Sequence, residues 1–171
     1  MKKLSSLSLA LVLIFGLAAT ASASPFYLES AGVTIEVPEG MQAEDISDDN
    51  VAALGISVDG DDNLKYVYSL AYIEAFEGKW IEDLTDEEGQ QLIQGVMNSV
   101  TDPQFDTAET DSYKLLLVGS GDGTQLHYMS LLNGWFCDVA AVRVNGTLTE
   151  EDIKAAAAML QSIQFDADTE G

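Results

Sequence analysis

His127 is the only histidine of the chain, so histidine-based catalysis would have to use it. It precedes the dipeptide Asn133-Gly134, which is typical of two-residue turns between antiparallel strands. The register that such a turn imposes makes His127 and Asp138 diagonal neighbours on one face of a sheet. A carboxylate beside an imidazole orients the ring and raises its basicity, which is what a hydrolase requires of its general base.

Two interpretations of the His127–Asp138 pair remain open. One is a small hydrolase or another enzyme that uses both side chains. The sequence has no Gly-x-Ser-x-Gly segment to supply a serine nucleophile for it. The other, which we expect, is a histidine on the outer face of the sheet that is hydrogen-bonded to Asp138 and has no catalytic role.

The same register places Cys137, the only cysteine, on the opposite face of the sheet. The pairs predicted for that face are Leu126 with Ala141, Tyr128 with Val139, Ser130 with Cys137, and Leu132 with Trp135. Because these neighbours are mostly apolar and cations are scarce, we expect a buried side chain rather than a reactive thiol. A single cysteine also excludes an internal disulfide.

Asp59, Asp61 and Asn63 have the alternate spacing of the first three ligands in a calcium-binding loop. Leu64 replaces the required glycine, and Leu70 stands where the bidentate glutamate belongs. A complete calcium loop is therefore excluded. A weak surface site remains as the alternative to a polar hairpin loop.

The glycine-rich segment 119–123 invites comparison with phosphate-binding loops. It lacks their spacing, no lysine follows it, and predicted strands rather than a helix flank it. It therefore predicts a hairpin turn, and we expect no cofactor.

Tyr72, Phe76 and Trp80 lie close together in the sequence, just before the first predicted helix. Aromatic side chains beside Gly78 could form a contact patch for a partner or ligand. They could equally pack the helix onto the sheet. We keep the partner-binding interpretation as the strongest functional signal of the chain.

The scaffold that must position these residues has two helices. Thr85 with Glu88, and Thr149 with Asp152, have the spacing of N-terminal capping boxes. Apolar residues then recur on one face of each helix. They are Leu92, Ile93, Val96, Met97 and Val100 in the first helix and Ile153, Ala156, Ala157, Leu160 and Ile163 in the second.

Strands are predicted over most of the remaining chain. They are Phe26–Glu29, Val33–Val37, Val51–Val58, Leu64–Ile73, Tyr113–Gly119, Thr124–Leu132 and Trp135–Val144. Most of them meet in short turns, which indicates antiparallel pairing. The pattern predicts an α+β fold: an antiparallel sheet with two helices packed on one face.

The N-terminus has the three parts of a secretory signal peptide: Lys2-Lys3, an apolar run over residues 4–19, and the small residues Ala21 and Ala23. We expect cleavage after Ala23, a single domain over residues 24–165 and a polar tail over residues 166–171. The apolar run is shorter than the ~20 residues that span a bilayer. We therefore expect a secreted or periplasmic protein with no membrane span and no lipid anchor.

Charge narrows the range of partners. The chain has 29 acidic and seven basic residues, and loss of Lys2 and Lys3 would leave a net charge of −24. Such a charge repels nucleic acid and anionic lipid. It favours cationic partners, although it also serves to keep an exported protein dispersed.

The segment Gly32–Gly40, GVTIEVPEG, resembles the strand-Pro-x-Gly opening of PsbP-like exported proteins. The later strands and the C-terminal helix ending near Phe165 follow in a similar order, although Met41 stands where an aromatic residue is common. The resemblance implies a PsbP-like sandwich and a binding or assembly-factor role, and it assigns no site. We therefore expect an exported acidic protein that acts on a partner protein or small ligand outside the cytoplasm.

Overall fold

The computed structural model describes residues 23–109 and 114–166, and its largest element is a seven-stranded sheet. In spatial order the strands are β3 (Met41–Asp45), β4 (Ala52–Val58), β5 (Asp61–Tyr72), β9 (Trp135–Arg143), β8 (Gln125–Leu132), β7 (Lys114–Gly119) and β6 (Gln104–Glu109). A three-stranded sheet has the order β1 (Ala23–Leu28), β2 (Val33–Pro38) and β10 (Gln164–Phe165). The two helices are α1 (Asp86–Ser99) and α2 (Glu150–Gln161). The pairing between neighbouring strands is antiparallel in both sheets.

Both helices begin where the capping boxes predicted. The Thr85 hydroxyl accepts a hydrogen bond from the Glu88 backbone N–H, and the Glu88 carboxylate accepts one from the Thr85 N–H at 2.9 Å. Thr149 and Asp152 make the same reciprocal pair at the start of α2, with a carboxylate contact of 2.7 Å. These bonds satisfy backbone donors that have no partner within a helix.

The register of the β8–β9 hairpin is the predicted one. Ser130 pairs with Cys137, Tyr128 with Val139, and Leu126 with Ala141. The turn residues Asn133 and Gly134 both have positive φ, at 51° and 85°. A two-residue hairpin turn of this kind needs positive φ at both positions, which Asn-Gly supplies at little cost.

The seven-stranded sheet has two apolar faces. The side that packs against α2 and the three-stranded sheet is named the α2 face. Its core contains Tyr68, Leu117, Tyr128, Cys137 and Val139. The opposite side is named the α1 face. Its core contains Leu116, Val118, Met129, Leu131 and, from α1, Ile93. Successive residues of β7 and β8 therefore alternate between two cores.

The α+β class is confirmed, but the expectation that both helices pack on one face is wrong. The two helices lie on opposite faces of the large sheet. The physical reason is that β7 and β8 are apolar on both sides, with buried residues throughout 115–118 and 128–132. Strands that are apolar on both faces require a cover on each.

Three short strands lie outside the ranges predicted from the sequence: β3, β6 and β10. The first two form the edges of the large sheet, and their sequences are MQAED and QFDTAE. Edge strands are exposed and polar, so they lack the alternation that identifies a half-buried strand. The β4–β5 hairpin is also tighter than expected, because β5 already begins at Asp61.

The predicted signal peptide, apart from Ala23, and residues 167–171 of the predicted tail lie outside the described residues. Asp166, the first residue of that tail, donates its backbone N–H to the Gly32 carbonyl at 2.9 Å. Over residues 23–109 and 114–166, no helix has the length and apolar character needed to cross a bilayer.

Candidate functional site

His127 and Asp138 form the hydrogen-bonded pair that the hairpin register indicated. Nδ1 of His127 lies 2.9 Å from Oδ2 and 3.2 Å from Oδ1 of Asp138. The pair lies on the α1 face, and only 13% of each side chain is exposed. The expectation of an open outer face was therefore wrong, since the apolar residues beside the pair on this face are covered by α1.

The pair orients the imidazole, and no described serine, threonine or cysteine is hydrogen-bonded to it. The hydrogen bonds described for the His127 side chain run to Asp138 alone. In the sheet register, Ser69 lies opposite Asp138 on β5, on the far side of the carboxylate from β8 and the imidazole. A nucleophile in a hydrolytic triad must instead contact the imidazole.

Cys137 is completely buried on the α2 face. Its thiol points toward the Trp135 carbonyl, with Sγ 3.7 Å from the oxygen. Burial, together with the charge of Asp138, raises the pKa of the thiol. The environment therefore favours the neutral form, which is the unreactive one.

Asp59, Asp61 and Asn63 turn toward separate partners. Asp59 accepts a hydrogen bond from the Gln42 amide at 2.7 Å, while Asp61 pairs with the Arg143 guanidinium at 3.1 Å. Asn63 is hydrogen-bonded to the backbone of Asn145. Within the described ranges, no group of three or more His, Cys, Asp or Glu side chains converges on a common metal position.

The glycine-rich segment is a hairpin turn, as predicted. Gly119 ends β7, and Ser120 to Thr124 connect it to β8. The Ser120 hydroxyl accepts a hydrogen bond from the Gln125 N–H at 2.9 Å and donates one to Asp122 at 2.7 Å. These hydrogen bonds give polar groups of the loop partners within the turn itself.

The side chains of Tyr72, Phe76 and Trp80 have different surroundings in the fold. Tyr72 packs against Trp135, with ring centroids 5.4 Å apart, and Trp135 in turn lies 6.0 Å from Phe165. Phe76 instead packs on the α1-face core. Trp80 is 42% exposed at the start of a short 3₁₀ turn.

Sequence patterns missed Trp135 and Phe165 as partners of Tyr72. Tyr72 is paired with Trp135 in the β5–β9 register, and these strands are distant in the chain. Phe165 reaches the group through the three-stranded sheet, where it pairs with Val33. Local hairpin signals cannot reveal such pairings, because they identify only consecutive strands.

A close approach of backbone at Gly134 holds Tyr72 in place. The Gly134 carbonyl accepts a hydrogen bond from the Ile73 N–H, and its own N–H donates to the Lys79 carbonyl, both at 3.0 Å. A Cβ at Gly134 would lie 3.1 Å from the Tyr72 ring and 3.2 Å from the Cα of Glu77. Glycine therefore lets the hairpin tip dock against the chain that follows β5.

Acidic residues surround the exposed tyrosine. Tyr72 is 46% exposed. Partial burial and the nearby carboxylates of Glu77 and Glu74 raise the pKa of its phenol. We call this surface, formed by Tyr72, Trp135, Phe165, Glu74 and Glu77, the aromatic-acidic patch.

Comparison with known proteins identifies the fold. No protein-family model and no curated protein sequence matches the chain. Among solved structures, the chain is similar to the solution structure of cyanobacterial PsbP (CyanoP) from Synechocystis sp. PCC 6803. The similarity covers 88% of this chain and 96% of that chain, with a TM-score of 0.53 and 13% sequence identity.

The fold is therefore PsbP-like, as the strand-Pro-x-Gly segment and the element order indicated. At 13% identity the similarity shows the architecture and carries no site residue from one chain to the other. The function has to be argued from the side chains of this chain.

Proposed function

We propose that this chain is an exported binding protein that docks a cationic partner protein through the aromatic-acidic patch. The observation that carries the proposal is Tyr72, a half-exposed aromatic side chain packed against Trp135 in a tilted arrangement and flanked by the carboxylates of Glu74 and Glu77. Tyrosine and tryptophan in rigid positions are the residue types that dominate binding energy in protein interfaces.

The patch has the two components needed to recognise a basic segment. The Tyr72 ring offers a face for a lysine or arginine, a contact that contributes about 0.5–1 kcal/mol at exposed sites. The carboxylates supply charge-assisted hydrogen bonds. A net charge of −24 after removal of the predicted signal peptide would also increase the rate of encounter with a cationic partner.

A photo-crosslinking experiment tests the docking site. A benzophenone amino acid replaces Tyr72 in the protein produced by the exporting cell, and the matched control carries it at Tyr27, which is 52% exposed on the smaller sheet. We expect a discrete adduct with a basic protein from position 72 and none from position 27. Identical adducts from both positions would contradict the assignment.

The charge component has a separate test. The Glu74→Gln and Glu77→Gln double change should weaken capture of the crosslinked partner and reduce its dependence on salt. The matched control is Glu150→Gln with Glu151→Gln, at the start of α2. Equal loss in both proteins would show that net charge alone, and not the patch, attracts the partner.

Export is the second part of the proposal and rests on the N-terminal sequence. The protein recovered outside the cytoplasm should begin at Ser24, because the small residues Ala21 and Ala23 suit a signal peptidase. N-terminal sequencing checks this. An exported protein that retains Met1 would contradict it.

A further inference from the structure

A cavity of about 410 Å³ lies on the α1 face of the large sheet. Its walls are one side of α1 from Asp86 to Met97, the 3₁₀ turn Ile81–Asp83, and strands β6 and β7. Ile81, Ile93 and Leu116 supply buried apolar surface. The volume is within the range of sites that hold small organic molecules.

The polar part of the lining contains one basic residue, Lys114. In the part of the chain that the structure describes, Lys79, Arg143 and Lys154 form ion pairs with carboxylates. Lys65 and Lys114 have no such pair among the described residues, and of these two only Lys114 lines the cavity. The chain has 29 acidic and only seven basic residues, so a lysine beside an apolar cavity distinguishes this site from the rest of the acidic surface.

Asp86 also lines the cavity, but its charge is partly balanced. It is the first residue of α1, where the helix dipole favours a negative side chain. The remaining polar residues, Thr85, Gln90, Gln94 and Thr107, are uncharged. Asp86 is therefore stabilised by the dipole of its own helix, whereas the strand that carries Lys114 supplies no comparable opposite charge.

Gly89 leaves part of the cavity open. It lies within α1 and lines the cavity, and an added Cβ would meet nothing within 4 Å. Glycine within a helix is less favourable than alanine by about 1 kcal/mol. The chain therefore has a less stable helix at a position where a side chain would fit and would narrow the cavity.

We propose that the cavity binds a small amphipathic molecule with an apolar body and an anionic head group, such as a carboxylate. The body contacts Ile81, Ile93 and Leu116, and the head group pairs with Lys114. The net negative charge of the protein opposes anions in general, but exposed charges are screened beyond about 8 Å at physiological ionic strength. The proposal does not depend on the aromatic-acidic patch.

Calorimetric titration with three ten-carbon probes tests the ligand class. The probes are decanoate, decan-1-ol and decyltrimethylammonium, each below its micellar concentration. We expect one molecule of decanoate per chain, with decanoate binding about tenfold more tightly than the alcohol. Preferred binding of the ammonium probe, or no binding of decanoate, would overturn the proposal.

Two variants of α1 locate the site. Gly89→Leu places a side chain in the cavity and should weaken decanoate binding by about tenfold or more. Gly95→Leu is the matched control, because Gly95 is exposed in the same helix, does not line the cavity and also has open space around an added Cβ. Both changes replace a helical glycine, so neither should lower the unfolding midpoint.

Lys114→Met tests the head group. It should remove the preference for decanoate over decan-1-ol while leaving the affinity for the alcohol within roughly twofold. If Gly89→Leu binds decanoate as the native chain does, the site is elsewhere. If Lys114→Met keeps the preference, the head group does not pair with Lys114. Either result contradicts the proposal as stated.

Discussion

The two faces of the seven-stranded sheet are built from the same strands and differ in how completely they are closed. The α2 face is covered by α2 and by the second sheet, and Tyr68, Tyr128 and Val139 have no exposed surface. The α1 face is covered by one helix and the 3₁₀ turn Ile81–Asp83, which leave a cavity and a His127–Asp138 pair whose side chains are 13% exposed. The cavity and the His127–Asp138 pair therefore lie on the less completely covered face, whereas Trp135 and Phe165 of the aromatic-acidic patch pack against the α2-face core.

The two helices also differ in the polar contacts that attach them to the rest of the fold. Arg143 on β9 donates two hydrogen bonds to Asp152 of α2, at 2.7 and 3.0 Å, and Tyr66 donates one to the Asp152 carbonyl at 3.2 Å. The side chain of Asp152 is 7% exposed. The corresponding contact of α1 is between Lys79 and Glu88 at 2.6 Å, and 36% and 29% of those side chains are exposed. A buried, bidentate pair constrains a helix more strongly than a solvated one.

The largest expected difference between the faces concerns two consecutive leucines of β7. Leu117 lies in the α2-face core and is 1% exposed, whereas Leu116 lines the cavity on the α1 face. We expect Leu117→Ala to lower the free energy of unfolding by roughly 4 kcal/mol and Leu116→Ala by roughly 2 kcal/mol, because packing is already incomplete beside the cavity. Urea denaturation measures both. Equal losses would mean that the α1 face is as tightly packed as the other.

The next effect concerns the attachment of α2. Arg143→Ala leaves the Asp152 carboxylate without its guanidinium, and we expect a loss of about 3 kcal/mol. Burial raises the pKa of Asp152, but hydrogen bonds from Arg143 and Thr149 outweigh burial and hold that pKa below its usual value. The matched control is Lys154→Ala, which removes the exposed Lys154–Glu150 pair and should cost less than about 0.5 kcal/mol. Similar losses in the two variants would contradict the structural role of Asp152.

A smaller effect is expected from His127→Ala. The pair is partly buried, so loss of its hydrogen bond should cost about 1 kcal/mol in thermal unfolding. The variant also separates binding from catalysis. A hydrolase that used His127 would lose about 10²–10⁴-fold in rate with its fold intact. Under our proposal, hydrolysis of p-nitrophenyl acetate is the same in His127→Ala, Asp138→Asn and the native chain.

The smallest effect is a pH dependence at the start of α1. Hydrogen bonds from Lys79 and from Thr85 lower the pKa of Glu88 from 4.5 to about 2. Because the folded pKa is lower than the unfolded one, this group stabilises the fold above pH 4.5 and loses its contribution as the pH falls toward 2.

Carbon-detected NMR titration of the Glu88 carboxyl group measures that pKa directly. Lys79→Met should raise it toward its ordinary value, since Lys79 provides the largest single contribution. An unchanged pKa of Glu88 in this variant would mean that the hydrogen bonds from Thr85 alone keep that pKa low.

Local features of the fold were readable in the sequence. Thr85–Glu88 and Thr149–Asp152 fixed both helix starts, because a capping box involves residues three apart. Asn133-Gly134 fixed the register of eight consecutive pairs from Gln125↔Val142 to Leu132↔Trp135, including the separation of Cys137 from His127. These signals need no knowledge of the rest of the chain.

The candidate sites were only partly readable. The His127–Asp138 hydrogen bond follows from one hairpin, whereas the Tyr72–Trp135 contact requires β5 to pair with β9 across 62 residues of intervening chain. The cavity requires α1 to lie over β6 and β7, and no single segment of sequence contains that arrangement.

The sequence by itself determined most helices and strands, the register of the β8–β9 hairpin and the charge of this protein, because each depends on neighbouring residues or on composition. Only the tertiary structure decided that the helices lie on opposite faces, that the Phe76 side chain packs on the α1-face core rather than against Trp135 with Tyr72, and that Lys114 and Gly89 line one cavity. An amphipathic helix has to bury its apolar stripe, but the stripe does not specify which of two apolar sheet faces it will cover. That choice depends on the packing of all the elements together.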